Sequence, residues 1–201
     1  VELARGRKCC GRPAFSQGNL EEASRLGSHN IALLHQDVDA APILFLEPSC
    51  YSMFMEDYRE MRLPNAEDIS RRCYLFQDFI EALLEREPNA LKFNVRAEKV
   101  VVHVHCHAKA LGAVDVMRRL TERLSERTVE ILDSGCCGMA GSFGMLESKY
   151  DLSVKIAEPL INAVKHQPFG TTLVTSGASC RSQVSHLATV KSRHVAEVLA
   201  D

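Results

Sequence analysis

Two pairs of adjacent cysteines constrain this chain more than any other feature of its sequence. They occur in the similar motifs Cys9-Cys10-Gly11 and Cys136-Cys137-Gly138. Adjacent cysteines bond to each other only with strain, whereas both thiols of such a pair can reach one metal centre. Eight cysteines in 201 residues are too few for a small disulfide-stapled domain, and their clustering indicates metal ligands or redox groups. The remaining cysteines are single residues: Cys50, Cys73, Cys106 and Cys180.

The features that follow the two pairs repeat in the same order. Each pair is followed by a helical stretch, a short apolar strand and a single cysteine, and the two endings are Glu47-Pro48-Ser49-Cys50 and Gly177-Ala178-Ser179-Cys180. The single cysteine lies 40 residues after the first pair and 43 residues after the second. This agreement predicts two homologous units, residues 1–95 and 96–201.

The second unit also has an earlier cysteine, Cys106, which lies 30 residues before Cys136. The chain begins at Val1 within a predicted strand start, Val1-Glu2-Leu3, that matches Val129-Glu130-Ile131-Leu132 before the second pair. We therefore expect a cut or processed chain. By repeat symmetry, we expect a further cysteine roughly 30 residues upstream of Cys9 in the parent protein.

The hydrophobic pattern alternates between short strands and longer helices. Continuous, β-branched apolar runs predict strands at residues 42–46, 99–104, 128–132 and 171–175. Apolar stripes predict three helices: residues 69–84 with Asn65 as N-cap, residues 111–124 and residues 146–164. The alternation predicts an α/β fold in which each unit has a small, mainly parallel sheet flanked by helices. Ligands gather at the carboxyl ends of such strands, and the residues that follow a predicted strand include Cys50, Cys106, Cys136 and Cys180.

Composition and charge exclude several classes of function. The chain is 46% hydrophobic and 25% charged, with a formal net charge of −2 and a pI of about 6.5. This balance gives no sign of a nucleic-acid or anionic-membrane partner. No apolar run approaches the length of a membrane span, and the first residues lack the core of a signal peptide. We therefore expect a cytoplasmic protein.

The loop around the second pair, from Gly135 to Gly144, has a glycine at every third position. Glycine lets the backbone approach a cofactor closely and present N–H groups to ligand sulfurs. We therefore assign Gly11, Gly138 and Gly141 to cofactor binding. Taken alone, the loop is also compatible with phosphate binding, but it lacks the Walker lysine and the Gly-x-Gly-x-x-Gly spacing.

These motifs carry a family resemblance that spans nearly the whole chain. The chain resembles the cysteine-rich CCG domains of the heterodisulfide reductase B subunit and the glycolate oxidase iron–sulfur subunit. It is most similar to the carboxyl-terminal part of fused proteins that join an FAD-binding oxidase domain to an iron–sulfur region. The motifs concerned are Cys9 to Pro13, Glu47 to Cys50, His103 to Leu111, Cys136 to Gly144 and Ser179 to Gln183.

The resemblance implies two pseudo-symmetric CCG units that pass electrons from a reduced flavin, in a domain outside this chain, to an electron acceptor. The flavin domain would oxidise a D-2-hydroxy acid such as lactate, glycolate or 2-hydroxyglutarate, so this chain alone would turn over no substrate. The resemblance also assigns the ligands of an iron–sulfur cluster, with [4Fe-4S] as the expected type. These ligands are Cys106, Cys136, Cys137 and Cys180, together with Cys9, Cys10 and Cys50.

The chain departs from the family pattern at one position in each unit. The heterodisulfide reductase form ends each motif with Cys-x-x-Cys, whereas this chain has Glu47 and Gly177 at the first cysteine position. Each unit therefore offers at most four cysteine ligands. That count leaves open an ordinary four-thiolate cluster or a zinc ion in one unit, and it weakens the case for a non-cubane cluster.

Several other residues near the cysteines have two interpretations. His105 and His107, ahead of His103, are candidates for hydrogen bonding to sulfur, for proton uptake or for zinc ligation; the alternative is hydrogen bonding to the backbone at a strand end. We expect Arg12 and Arg181 to offset the charge of the thiolates, and Lys109 either to do the same or to be solvated. Cys73 lies on the apolar stripe of a predicted helix, and we expect it to be a core residue.

Two other functions remain open at this point. The first is a zinc-stabilised scaffold that docks the flavin domain to other subunits. The second is thiol–disulfide catalysis by a cysteine pair, which requires an exposed thiol with a lowered pKa.

Overall fold

The structure is a computed structural model, and it describes residues 1–36, 41–94, 98–124 and 129–200. The elements of the first part of the chain are α1 (Arg12–Ser16), α2 (Leu20–His35), β1 (Ile43–Phe45), α3 (Pro48–Ser52), a π-helical turn (Met53–Asp57), α4 (Tyr58–Glu60), α5 (Ala66–Ser70), β2 (Cys73–Leu75) and α6 (Phe76–Arg86). The elements of the second part are β3 (Val100–Val102), α7 (Cys106–Ala110), α8 (Val114–Glu122), β4 (Glu130–Ile131), a 3₁₀ turn (Phe143–Met145), α9 (Glu147–Lys165), β5 (Thr172–Val174), α10 (Ala178–Ala188) and α11 (Val195–Leu199).

The strands of the described residues form two small sheets, and every pairing is parallel. β1 pairs with β2 in the first sheet, with Ile43 opposite Cys73. The second sheet has the order β4-β3-β5, with Val101 opposite both Glu130 and Leu173. The structure confirms the predicted α/β class and the small parallel sheets flanked by helices, and two sheets fit two units.

The central strand β3 explains why its sequence is continuously apolar. Val100 and Val102 belong to one hydrophobic cluster, whereas Val101 belongs to another. Successive side chains of a strand point to opposite faces of the sheet, so helices cover both faces here. The runs at residues 42–46, 99–104 and 171–175 all contain strands as predicted. The run at 128–132 contains β4, although residue 128 lies outside the described residues.

The predicted helix over residues 69–84 is wrong as a single element. Asn65 does precede a helix, α5, but its side chain makes no capping hydrogen bond. The chain then enters β2, where Cys73 and Leu75 are buried and Tyr74 is 40% exposed. The pairing with β1 satisfies the backbone groups of this segment, and its alternating burial is that of a strand. The remainder of the predicted helix is α6.

The other two predicted helices are present with adjusted limits. The 146–164 stripe corresponds to α9, although Tyr150 and Ile156 are 40% and 39% exposed. The 111–124 stripe corresponds to α8, which begins after Leu111 and Gly112. The predicted strand start at residues 1–3 is wrong, because these residues form no strand and find no partner strand in the described structure.

The largest hydrophobic cluster draws on both predicted units. Leu75 and Leu84 from the first part pack in the same cluster as Val102, Met117 and Val198 from the second. Helix α6 contacts both α8 and α11. The unit boundary predicted at residues 95 and 96 lies outside the described residues and stays a prediction. Within the described residues, the two sheets are thus joined by a shared core.

Membrane insertion through a helix can be assessed directly from the elements. Among the described residues, no helix has both the length and the apolar character needed to cross a bilayer.

Candidate metal centre

Four cysteines of the second unit meet at the carboxyl ends of its parallel strands. Cys106 is the first residue of α7 after β3, and Cys180 lies in the first turn of α10 after β5. Cys136 and Cys137 occupy the loop after β4. Their side chains interact in series: Cys106 with Cys136, Cys136 with Cys137, and Cys137 with Cys180. The structure therefore brings together all four predicted ligands of this unit.

The contacts among these thiols favour thiolates at two of the four positions. Hydrogen bonding by Cys106 and then by Cys137 lowers the pKa of Cys136 to about 2. Hydrogen bonding by Cys137 lowers the pKa of Cys180 to about 5, against the effect of its burial. The partners that supply these hydrogen bonds, Cys106 and Cys137, have a raised pKa. Thiolates are the form in which cysteine binds metals.

The first unit gathers a smaller set of three cysteines. Cys50 lies in α3 after β1, and hydrogen bonding with Cys50 lowers the pKa of Cys10 to about 7. The same contact raises the pKa of Cys50. Cys9 is exposed and contributes a weaker hydrogen bond to Cys10. The buried Tyr58 hydroxyl donates to the Cys10 carbonyl at 2.5 Å, which fixes the backbone of this pair.

The glycines of the two motifs have a packing role that the sequence does not reveal. Gly11 and Gly138 both have a φ of 85°, and each lies against the backbone of a following long helix. The backbone N–H of Gly138 also donates to Sγ of Cys136 at 3.3 Å, as expected for a glycine that presents its amide to a ligand sulfur. Gly141 lies between the two units, where a Cβ would stand 2.8 Å from Oγ of Ser16.

His103 lies beside the candidate ligand Cys180, although the sequence favours the other two histidines. It is 1% exposed, and its Nδ1 is 3.0 Å from Oγ of Ser134. Its Nε2 is buried with no partner at hydrogen-bonding distance, yet the ring is close enough to Cys180 to help lower the pKa of that thiol. The sequence signal for this position is that it directly continues the buried strand β3.

The two favoured histidines have other neighbours. His105 is 4% exposed, and its Nδ1 accepts a hydrogen bond from the backbone N–H of His107 at 3.1 Å. It also lies 3.9 Å from Sγ of Cys106. The His107 ring pairs through Nδ1 with Oγ of Ser52 at 2.7 Å, and burial lowers its pKa. His105 therefore borders the thiols, whereas His107 links α7 to α3 of the first unit.

The positively charged side chains near the cysteines mostly contact groups other than the thiols. Arg12 forms an ion pair with Asp57, and its charge is only a minor cause of the lowered pKa of Cys10. Arg181 donates to the carbonyls of Thr175 and Ser176 at 3.2 and 2.8 Å.

Two further residues have identified partners other than the candidate ligand thiols. Lys109 is half-buried and donates to the Ser134 carbonyl at 2.6 Å. Cys73 is buried in the hydrophobic cluster of the first unit and donates to the Ile69 carbonyl at 3.2 Å. It is therefore the core residue expected from the sequence, although in a strand.

The residues of the second unit fit an iron–sulfur cluster in their donor chemistry. Soft thiolates, buried surroundings and an amide donor to sulfur are what such a cluster requires. Three buried polar atoms in the segments that lead to Cys106 and Cys180 have no hydrogen-bond partner within the protein: His103 Nε2, Thr175 Oγ1 and Ser176 Oγ. Such orphaned groups call for a polar partner that the protein itself does not supply.

A single zinc ion would make a different geometric demand on the same residues. Zinc holds thiolates at about 2.3 Å, so its ligands must crowd around one point. Within the described ranges, no group of three or more His, Cys, Asp or Glu side chains is arranged to hold one ion. Thiolates of a cluster bind different iron atoms and can stand further apart.

Glu47 is the residue of this region whose contacts the sequence does not predict. In the sequence it stands out only as the replacement of a ligand. In the structure its Oε2 accepts a hydrogen bond from the backbone N–H of Ala178, at 2.6 Å, across the boundary between the two units.

The chain also matches a known protein family. The family model described as CCG, cysteine-rich domain, matches residues 1–55 and 100–185. Both cysteine pairs and the cysteines at positions 50, 106 and 180 lie within the matched residues. No solved structure matches the chain.

The chain is also similar to curated bacterial proteins. It is 24% identical to a subunit of the anaerobic glycerol-3-phosphate dehydrogenase of Escherichia coli (strain K12), over 100% of this chain and 50% of that protein. It is 28% identical to lactate utilization protein A of Exiguobacterium sp., over 95% of this chain and 80% of that protein. It is 27% identical to lactate utilization protein A 2 of Bacillus cereus (strain 03BB102), over 100% of this chain and 85% of that protein. The chain thus spans about half the length of the Escherichia coli relative.

Proposed function

The chain belongs to the family of CCG cysteine-rich domains, and from that premise we propose that it is the iron–sulfur electron-transfer part of a larger flavin-dependent oxidoreductase. The cysteines at positions 106, 136, 137 and 180 hold the principal cluster. The cysteines at positions 9, 10 and 50 contribute to a second site, which lacks one ligand within this chain.

One observation carries this proposal: four thiols from three separate loops converge at the carboxyl end of one parallel sheet. Cys180 and Cys137 are 1% and 3% exposed, whereas Cys106 and Cys136 are half-buried. Thiols that serve only packing do not require a lowered pKa, yet Cys136 and Cys180 both have one. Nor do they require a backbone amide donor, yet the N–H of Gly138 donates to Sγ of Cys136. Convergence, burial and thiolate character together support metal ligation.

The protein groups around these thiols hold charge and exclude water. The Gly138 amide donates to Cys136, and the His103 ring lies beside Cys180, so both sulfurs have neighbours that stabilise negative charge. Hydrogen bonds to ligand sulfurs and low solvent exposure set the potential of a cluster. When bound, an iron–sulfur cluster supplies one-electron transfer. In this proposal the substrate is oxidised in the flavin domain, and this chain carries the electrons.

The substrate that we assign to the larger protein is a small D-2-hydroxy acid such as lactate. The names of the relatives support this class, since two of them refer to lactate utilization. The glycerol-3-phosphate dehydrogenase relative is named as a subunit, which supports a flavin partner that is either a separate subunit or another part of the same polypeptide. Reduced flavin would then donate electrons to this chain, which passes them to an acceptor.

The test is the content of iron, acid-labile sulfide and zinc in anaerobically purified protein, with a visible spectrum of the same sample. We expect iron and sulfide in matching amounts and a broad brown absorption. Cys106→Ala and Cys137→Ala should lose most of the iron, because each removes one thiolate of the second-unit set. Cys73→Ala is the matched control and should keep the iron of the second-unit set, because Cys73 packs in the hydrophobic cluster of the first unit and Cys137 and Cys180 pack in another.

Two results would redirect this assignment. Zinc without sulfide in the wild type would move the function to the zinc-stabilised docking domain. Unchanged iron in Cys106→Ala and Cys137→Ala would show that the metal is held elsewhere.

A second candidate is thiol–disulfide exchange, and one observation favours it. Cys136 is half-buried and has a pKa lowered to about 2, through hydrogen bonding by Cys106, so its thiolate is present and partly accessible. A partly accessible thiolate predicts that Cys136 is alkylated faster than the buried cysteines in the metal-free protein. Slow alkylation of every cysteine in that sample would exclude this candidate and leave electron transfer.

A further inference from the structure

Glu47 lies between the two cysteine sites and contacts a helix from each unit. It is the N-cap residue of α3, which carries Cys50, and its Oε1 accepts from Oγ and N of Ser49 at 2.8 and 3.4 Å. Its other oxygen, Oε2, accepts from the backbone N–H of Ala178, the first residue of α10. One carboxylate therefore caps the helix of Cys50 and the helix of Cys180.

Helix α10 depends on this contact because it has no cap of its own. Its N-cap residue is Gly177, which makes no side-chain hydrogen bond. The first amides of a helix lack intrahelical partners, and its N-terminus favours a negative charge. A carboxylate from the other unit supplies both the acceptor and the charge.

His105 explains why position 177 is occupied by glycine. A Cβ at Gly177 would lie 2.1 Å from Cδ2 of His105, so the ring fills the space that any larger residue would need. The Nε2 of this ring is 3.8 Å from Oε1 of Glu47. His105 directly precedes Cys106, so the segments of Cys50, Cys106 and Cys180 all meet at Glu47.

We propose that Glu47 is a positioning residue that fixes the two cysteine sites relative to each other and sets the charge between them. The proposal rests on the proposed function, since it concerns the same cysteines. It makes two consequences measurable. Loss of the carboxylate should loosen the start of α10 in the opposite unit, and loss of its charge alone should alter the potential of a cluster bound there.

The first measurement is hydrogen exchange of the α10 amides in the metal-free chain, which needs no cluster. Glu47 is the acceptor for the Ala178 amide, and a hydrogen bond to a charged group is stronger than one to a neutral group. We therefore expect Glu47→Ala to accelerate exchange at Ala178 by roughly tenfold or more. Glu47→Gln retains a neutral oxygen acceptor and should exchange at a rate between those of the wild type and Glu47→Ala. Glu60→Ala removes an exposed carboxylate of α4 and serves as the matched control.

The second measurement is the reduction potential of the reconstituted iron–sulfur protein. Removing a negative charge near a cluster favours the added electron, so Glu47→Gln should raise the potential while keeping part of the exchange protection. A residue that only stabilises the fold would leave the potential of the Gln variant unchanged. Glu60→Ala should leave both quantities unchanged.

The outcomes separate the role of Glu47 from the proposed function. If the wild type takes up no cluster, the proposed function fails, and the exchange measurement alone decides on the role of Glu47. If Ala178 exchanges at the wild-type rate in Glu47→Ala, with circular dichroism showing a folded chain, the positioning role is wrong. If Glu47→Gln has the wild-type potential, the electrostatic part is wrong.

Discussion

Gly138 packs directly against the backbone of Ser153, so that a Cβ at position 138 would stand 2.1 Å from the Ser153 carbonyl oxygen. The first unit repeats this relationship, since a Cβ at Gly11 would stand 3.1 Å from Cα of Ala23. Both glycines follow a cysteine pair, and both contacts are with the long helix that follows, α9 or α2. The shared Cys-Cys-Gly motif therefore places two thiols close to a helix.

The first prediction tests that contact at Gly138. Gly138→Ala adds a methyl group against a backbone oxygen at a φ of 85°, and we expect a loss of about 3 kcal/mol or more in the free energy of unfolding. Gly112→Ala is the control, because Gly112 has a φ of 79° with nothing within 4 Å of the added Cβ. It should lose only about 1 kcal/mol, from backbone strain alone. Equal losses in urea denaturation would refute the packing explanation.

The second prediction concerns the space beside His105. Gly177→Ala places a methyl group 2.1 Å from the ring, which is buried and cannot move aside freely. We expect a loss of about 1–3 kcal/mol from overpacking, together with reduced iron content. Gly135→Ala adds the same group next to Cys136, where nothing lies within 4 Å, and should keep both stability and iron. A Gly177→Ala protein with wild-type stability would contradict the geometry.

The third prediction concerns the ion pair of Arg12 with Asp57, whose side chains are 11% and 14% exposed. Arg12→Gln leaves a nearly buried carboxylate without its partner, and we expect a loss of about 2–4 kcal/mol in unfolding free energy. Adding Asp57→Asn should restore part of that loss, because the unpaired charge is then removed. Arg25→Gln breaks an exposed pair with Glu22 and should show no measurable change. Equal effects of the two arginine variants would be inconsistent with this assignment.

The fourth prediction is a pH dependence that originates at Asp78. Burial raises the pKa of Asp78 to about 6, and its Oδ1 has no hydrogen-bond partner. The unfolded chain has the ordinary value of about 3.9, so the folded state binds this proton more tightly. The stabilisation is fully present below about pH 4 and is lost as the pH rises through about 6.

The Asp78→Asn variant measures that effect directly. We expect it to exceed the wild type in unfolding free energy by about 2 kcal/mol at about pH 7, with the difference vanishing below about pH 4. Asp115→Asn is the matched control, since Asp115 also lies in the first turn of a helix but is exposed. It should not reproduce the gain in unfolding free energy at about pH 7, because this exposed side chain stays in water in the folded protein. A constant difference for Asp78→Asn would argue against the titration.

Much of the fold follows from local features of the sequence. The apolar runs contain strands because a sheet covered on both faces needs continuous apolar sequence, as β3 shows with alternate valines in separate clusters. The cysteines at positions 50, 106, 136 and 180 each follow such a run, so their gathering at the strand ends could be predicted. The strand that contains Cys73 could not be predicted, because Ile69, Cys73 and Phe76 also satisfy helical spacing. Only the pairing of Cys73 with Ile43 distinguishes strand from helix.

The repeat, the candidate ligands and the α/β class can be read from the sequence alone, because each depends on residue type and on spacing along the chain. Three contacts follow only from how the chain packs: the histidine that lies beside Cys180, the pairing of Arg12 with Asp57, and the capping by Glu47 of a helix that begins at Ala178. These contacts join residues that are far apart in sequence, as far as 131 positions for Glu47 and Ala178. Their free energy depends on how the two units meet, and no local pattern of hydrophobicity or charge records that packing.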